Sequence, residues 1–260
     1  MDDKTIFKFQ KQLKKLTKRG SQILISILTS QRRGIKNARS PDKLTELASL
    51  NIFTKPSSQA DRLAFLDLID KAFNFGINYG IGKDNVVAKG LSDIAISSSD
   101  KFLSKLGNDI RTEALDIISR GLKDPDVTFN DMKDQLINVL DIKESRANSI
   151  ARTEVARSAN SASYIQAKQE GAMYYTVDNR AEACEICQDK FEGQTFPISD
   201  TDSLPPEHPN CACVPVYFRM EDEANNWNDR IASENEDIRQ RLEDQGKDIK
   251  PDGTSNFTNN

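Results

Sequence analysis

Histidine occurs once in this 260-residue sequence, at position 208, and apolar runs are short, such as ILISIL at residues 23 to 28. The short runs exclude a helical membrane span, which needs roughly 20 apolar residues. The single histidine excludes HExxH metalloprotease chemistry, and no H-x-E accompanied by P-C-x-x-C is present for a zinc deaminase. Glycine-rich phosphate loops and GxSxG elbows are missing too, so no enzyme class is indicated. The opening MDDKTIFKFQ is acidic and has no apolar stretch ending in a cleavage site, which predicts synthesis and action in a cytosol. With 37% hydrophobic residues, the chain can support one large or two ordinary cores.

What the sequence does have is charge arranged by position. The net charge is −4, yet residues 1 to 55 carry 13 Lys and Arg against 4 Asp and Glu, and residues 221 to 260 carry 5 against 11. Three readings follow: a basic arm near nucleic acid with an acidic tail, solvated helix faces, or pairing of the two ends within or between molecules.

Apolar spacing predicts a mainly α protein. Ile6, Phe9, Leu13 and Leu16 recur at helical intervals among lysines, with Gly20 placed to end or interrupt the segment. Ile23, Leu24, Ile27 and Leu28 continue the pattern, and Ser40-Pro41 reads as the N-cap and first turn of another helix. Leu63, Leu66, Ile69, Phe73 and Ile77 mark a third helix, broken at GINYGIGKDN; Phe102, Leu106, Ile110, Ala114, Ile117 and Ile118 mark a fourth. Thr128 opens a shorter helix, and residues 145 to 171 form a longer one with a small-residue Ala and Ser surface, ended by Gly171. AMYYTVD and CVPVYF then read as strands around an irregular loop, residues 220 to 250 as an acidic helix, and GTSNFTNN as a disordered tail. The expected organisation is a helical docking domain at 1–144, a small α+β module at 145–219, and the acidic helix and tail at 220–260.

All four cysteines and the histidine fall within residues 184 to 213, in the order Cys184-x2-Cys187-x20-His208-x2-Cys211-x-Cys213. Two close ligand pairs separated by a loop are what structural zinc sites commonly show. Zinc held by Cys184, Cys187, His208 and Cys211, with Cys213 as the alternative ligand, would staple a loop too polar to build its own core. The Pro205, Pro206 and Pro209 framework holds the second pair. Free buried thiols and a disulfide are the competing readings. A reducing cytosol and the strain of adjacent C-x-C bonds weigh against the disulfide, and a redox CxxC would need a βαβ setting. Five donors for four places point to a closed structural site, and ligation would remove His208 as a general base.

The helix IARTEVARSANSASYIQAKQEG, then YYTVD, CEIC and PPEHPNCAC, resembles the phage head morphogenesis family, the Mu F-like minor head proteins, over roughly residues 146 to 216. Arg152, Thr153, Glu154 and Asn160 match the helix signature and Asp178 the strand end, all expected to be architectural; Tyr174 and Tyr175 read as rim and core. Ala212 departs from the arginine the family commonly has between the last two cysteines. The resemblance implies a non-enzymatic minor component of a tailed-phage or prophage head. It would sit in the virion or procapsid interior after assembly in the bacterial cytoplasm, with the portal protein and the scaffolding or major capsid protein as partners. Read from the residues themselves, the basic first 40 positions are expected to touch packaged double-stranded DNA through phosphate contacts of Lys14, Lys15, Lys18, Arg19, Arg32 and Arg33. The alternatives are a zinc-containing nucleic-acid-binding regulator, which would need a basic helix beside the zinc, and a remnant of a Mu F-type toxin carrier.

Overall fold

The computed structural model describes residues 3–49, 51–53, 58–79, 88–179 and 183–245. The tail beyond 245 and residues 80–85 of GINYGIGKDN lie outside the described residues. The helices are α1 (Asp3–Asn37), α2 (Pro41–Ser49), α3 (Gln59–Tyr79), α4 (Ala88–Lys123), α5 (Phe129–Gln169), α6 (Glu185–Phe191) and α7 (Glu221–Asp244). The strands are β1 (Tyr174–Asp178), β2 (Phe196–Pro197) and β3 (Val214–Phe218), forming one antiparallel sheet in the order β2-β1-β3. The mainly α architecture with a small α+β module is the one the residue pattern predicts.

The spine is α5, a single 41-residue helix. Thr128 caps it reciprocally: its hydroxyl accepts from the Asp131 N–H, and Asp131 accepts from the Thr128 N–H at 2.8 Å. Gly171, at φ 84°, lets the chain leave the helix in the left-handed region and turn into β1. The structure corrects two helix boundaries. No break separates the helix opening at Thr128 from the one expected at 145, so the division at 144/145 falls inside α5. Likewise α1 runs unbroken through Gly20, whose bare Cα lies under Leu68 and Phe65: an added Cβ would sit 3.3 Å from each. Gly20 permits a close crossing of α1 with α3 and does not terminate the helix.

One apolar cluster joins α1 to α5, with Phe9, Leu24, Leu28, Phe65, Leu68, Leu106 and Ala151 all essentially inaccessible. Burying each large side chain contributes about 1.5–3 kcal/mol relative to exposure. The buried stripe of α3 is Phe65, Leu68, Ile69, Phe73 and Ile77, so Leu63 points outward at 54% exposure, and Leu103 takes the place expected of Phe102. The small-residue face of α5 packs as its composition predicts: Gly76 of α3 crosses so tightly that a Cβ would lie 2.1 Å from the Ala159 carbonyl oxygen.

The sheet rests on the C-terminal end of α5 and, through Trp227, on α7. Trp227 is buried with its ring centroid 6.2 Å from that of Phe218. The acidic helix is thus packed on the module at β1 and β3, across the expected division at 219/220. Substituting Gly76 by Ala should cost about 3 kcal/mol, because the clash is with backbone that cannot rotate away; urea unfolding followed by circular dichroism measures it, while Gly20→Ala, which meets only side-chain tips, should cost far less.

Candidate metal centre

Each element delivers one part of a Cys and His cluster. Cys184 is the N-cap of α6 and Cys187 lies in its first turn, so one helical turn places both thiols on the same side. Cys184, Cys187 and Phe191 stand at helical spacing, the one signal in the loop that could have revealed α6. Phe191 is fully buried and roots the short helix in a second apolar cluster with Tyr175, Val177 and Tyr217. Cys211 and Cys213 come from the segment entering β3, after a chain path that includes a cis Pro205–Pro206 bond and Asn210 at φ 68°. Asn is among the few residues that tolerate that conformation.

The five donors form two overlapping groups. Cys184, Cys187 and His208 lie within 4.8 Å of one another, as do Cys187, Cys211 and Cys213, and Cys187 belongs to both. His208 Nε2 is 3.0 Å from Cys184 Sγ and 3.1 Å from Cys187 Sγ, while Cys187 Sγ and Cys211 Sγ are 3.7 Å apart. With bonds of about 2.3 Å to sulfur, the edge of a tetrahedral zinc site is about 3.8 Å, close to the spacing of Cys187 and Cys211. His208 Nδ1 sits 2.8 Å from the Pro209 carbonyl, the arrangement that holds a ligating imidazole by its other nitrogen and directs Nε2 to the metal. All four cysteines are buried and none is in a disulfide.

Electrostatics favour a cation here. Hydrogen bonds from the Cys187 and Cys213 thiols hold Cys211 down to about 2, and the same sharing pushes Cys187 and Cys213 above the ordinary thiol range. A divalent ion among these thiols would ionise them as ligands. Soft sulfur donors with one imidazole are a set that could hold a metal ion of the zinc type; Cys184 and His208 lie on one side of the shared Cys187, and Cys211 and Cys213 on the other, so the expected four ligands are not one group.

The loop is held by α5. Asn160, fully buried, donates from Nδ2 to the carbonyls of Pro205 at 3.1 Å and Cys213 at 3.0 Å. Thr153 Oγ1 accepts from the Asn210 N–H at 3.1 Å, Asn210 Nδ2 donates to Ser149 Oγ at 2.9 Å, and Arg152 reaches the Asn210 carbonyl at 3.5 Å. Arg152 also faces the Cys211 sulfur, its cation disfavoured by burial and favoured by that neighbour. Glu154 points the other way, into α4: it accepts from Ser99 Oγ at 3.3 Å and pairs with Arg157, and burial raises its pKa. Asp178, at the end of β1, accepts from Gln10 of α1 at 2.6 Å. Tyr175 is core and Tyr174 rim. Ser149 and Asn210 were not singled out by sequence reasoning; nothing in their local pattern marks a contact across some 60 residues.

The basic candidates divide. Lys14, Lys15, Lys18, Arg19 and Arg33 are exposed. Arg32 is committed to α5, with Nε 2.7 Å from Asp141 and a terminal nitrogen on Glu144. Lys14 borders a small cavity with Arg152 and Cys211, beside the module.

A helical scaffold whose longest helix clamps a Cys- and His-bearing α+β module is the class of protein these features define. Residues 108–216 match the family model described as Phage Mu protein F like protein, which bears out the resemblance to phage head morphogenesis proteins. The matched segment starts within α4 and ends in β3, so it takes in α5, both ligand pairs and the clamp. Neither a curated protein nor a solved structure matches the chain. Among the described residues no helix is long and apolar enough to cross a membrane.

Purified protein should carry one zinc per chain by elemental analysis, and Cys187→Ser, which removes the donor common to both groups, should abolish it; metal-free wild type with unchanged protease resistance would contradict the staple. Replacing Asn160 by Ala should cost about 2 kcal/mol, because two buried carbonyls lose their donor, and should loosen the loop in hydrogen exchange while the α1 and α3 amides keep their protection.

Proposed function

We propose that the protein is a non-enzymatic minor head protein of a tailed phage or prophage, brought into the procapsid with the portal protein and shaped by a structural zinc ion. The observation that carries this reading is the coincidence of the family match with a built unit: residues 108–216 contain the clamping helix, the donor set and the sheet. A match of scattered motifs would carry less.

The site chemistry supports a structural role. Both nitrogens of the chain's one histidine are engaged, Nε2 with the thiols and Nδ1 with a backbone carbonyl, which removes the usual general base. Four buried thiols and a partly exposed imidazole are enough donors to close a metal's coordination without a position for water or substrate. The helix that flanks the module, α7, is acidic, opposite to what a zinc-containing nucleic-acid reader would place there. A module held rigidly to a helical body suits a component that docks on the portal and on the inner face of the shell, and contact with packaged DNA belongs to the same setting.

Mass spectrometry of purified procapsids and virions of the source phage tests the proposal. The protein should be present at low copy and should co-purify with the portal after mild disruption. Absence from both particles would overturn the reading.

A further inference from the structure

The exposed face of α1 is a second functional surface. From Lys4 to Pro41 the sequence has eleven Lys and Arg and no Asp or Glu. In the continuous helix, Ile6, Phe9, Leu13, Leu24, Ile27, Leu28 and Ile35 are buried, and the cations emerge on the opposite side. Lys8, Lys11, Lys15, Lys18 and Arg19 are exposed in the first half, Arg33 and Lys36 in the last turns. None of these seven makes an ion pair among the described residues, although ion pairs are frequent on the other helices. The acids nearest the face are engaged at its flanks: Asp61 with Ser26, Asp178 with Gln10, and Asp141 and Glu144 with Arg32.

The spacing of the two cationic groups names a partner. No charged residue lies between Gly20 and Gln31. At 1.5 Å per residue, the centre of the first group is about 30 Å from the centre of the second, and long Lys and Arg side chains reach the few ångströms further to one turn of duplex. One turn of B-form DNA is about 34 Å. A straight helix lying along a duplex would therefore meet phosphates with both groups one turn apart, leaving its uncharged middle over the intervening groove. The apolar side of α1 is consumed by the core; Phe7 is exposed, but a lone ring is not an apolar face that could lie in a bilayer. We propose that α1 binds the phosphate backbone of double-stranded DNA, without sequence preference, through Lys8, Lys11, Lys15, Lys18 and Arg19 at one contact and Arg33 and Lys36 at the other. The proposal takes its setting from the head-protein reading, but its chemistry stands on α1 alone.

Fluorescence anisotropy of the full chain with labelled duplexes of 10, 16 and 24 base pairs, in two unrelated sequences, tests it between 50 and 200 mM salt. Both sequences should bind equally, and the 24-mer at least tenfold more tightly than the 10-mer after allowance for the number of registers. Seven phosphate contacts give a log–log salt slope near −6, hence a loss of about 10³–10⁴ in affinity over that range. Lys11→Gln/Lys15→Gln/Lys18→Gln should reduce the slope by about 3 and Arg33→Gln/Lys36→Gln by about 2, with Lys105→Gln/Lys123→Gln on α4 unchanged. Circular dichroism and thermal melting verify that each variant is folded. Equal binding of the α1 and α4 variants, equal affinity for the 10-mer and 24-mer, or insensitivity to salt would overturn the proposal. So would α1 variants that lose a salt-sensitive self-association in sedimentation yet retain DNA binding, because the face would then dock on an acidic surface of a second copy. None of these outcomes bears on incorporation into particles, which the mass spectrometry reads separately.

Discussion

The side-chain amide of Asn160 holds both ends of the segment that carries His208 and Cys211. Its Nδ2 bonds the Pro205 carbonyl before them and the Cys213 carbonyl after them, with the residue wholly removed from solvent. Hydrogen bonds in such an environment are strong because water does not compete, and a lost donor is costly for the same reason. Thr153 and Ser149 repeat the device at Asn210, between the two ligands. The segment is thus tied to α5 at both ends and between its two ligands.

Because α5 is unbroken for 41 residues, the clamp also relates the module to the helical body. The same helix packs on α1, α3 and α4 through a face of alanines, serines and Val155, where Gly76 allows backbones to touch. A bulkier face would hold the helices further apart and leave voids beside the small residues. Acting from the other side, α7 covers the sheet with Trp227, and Arg239 grips Glu192 beyond the end of α6 with two bonds of 2.6 and 2.8 Å. The cysteine loop is thus enclosed by three helices and a sheet, which explains how thiols come to be buried in so polar a stretch.

Electrostatic division of labour follows from this packing. The net charge is small, but the basic side chains line an outer helix face and the acidic ones a helix on the module. The two charged faces stand on different supports, since α1 packs on α3 and α5 and α7 on β1 and β3. Arg32 shows how packing selects among the cations: it lies in the basic stretch, yet its guanidinium is drawn to Asp141 and Glu144 on α5.

The amino-acid sequence by itself determined the helical class, the caps at Thr128 and Ser40, the exit at Gly171, the two long strands and the clustering of the five donors. These depend on spacing and on residues acting within a few positions of themselves, which is where propensity and hydrophobic period operate. Tertiary structure alone decided that Gly20 and Gly76 are crossing points, that α5 has no break near residue 145, that Leu63 faces out, and that Arg32 turns inward. It also decided which side chains of the ARTE segment reach the ligand loop: Thr153 and Asn160 bond it, Arg152 lies at the limit of reach, and Glu154 turns to Ser99. Those outcomes depend on what a residue meets 40 or more positions away, and a linear pattern holds no record of that distance.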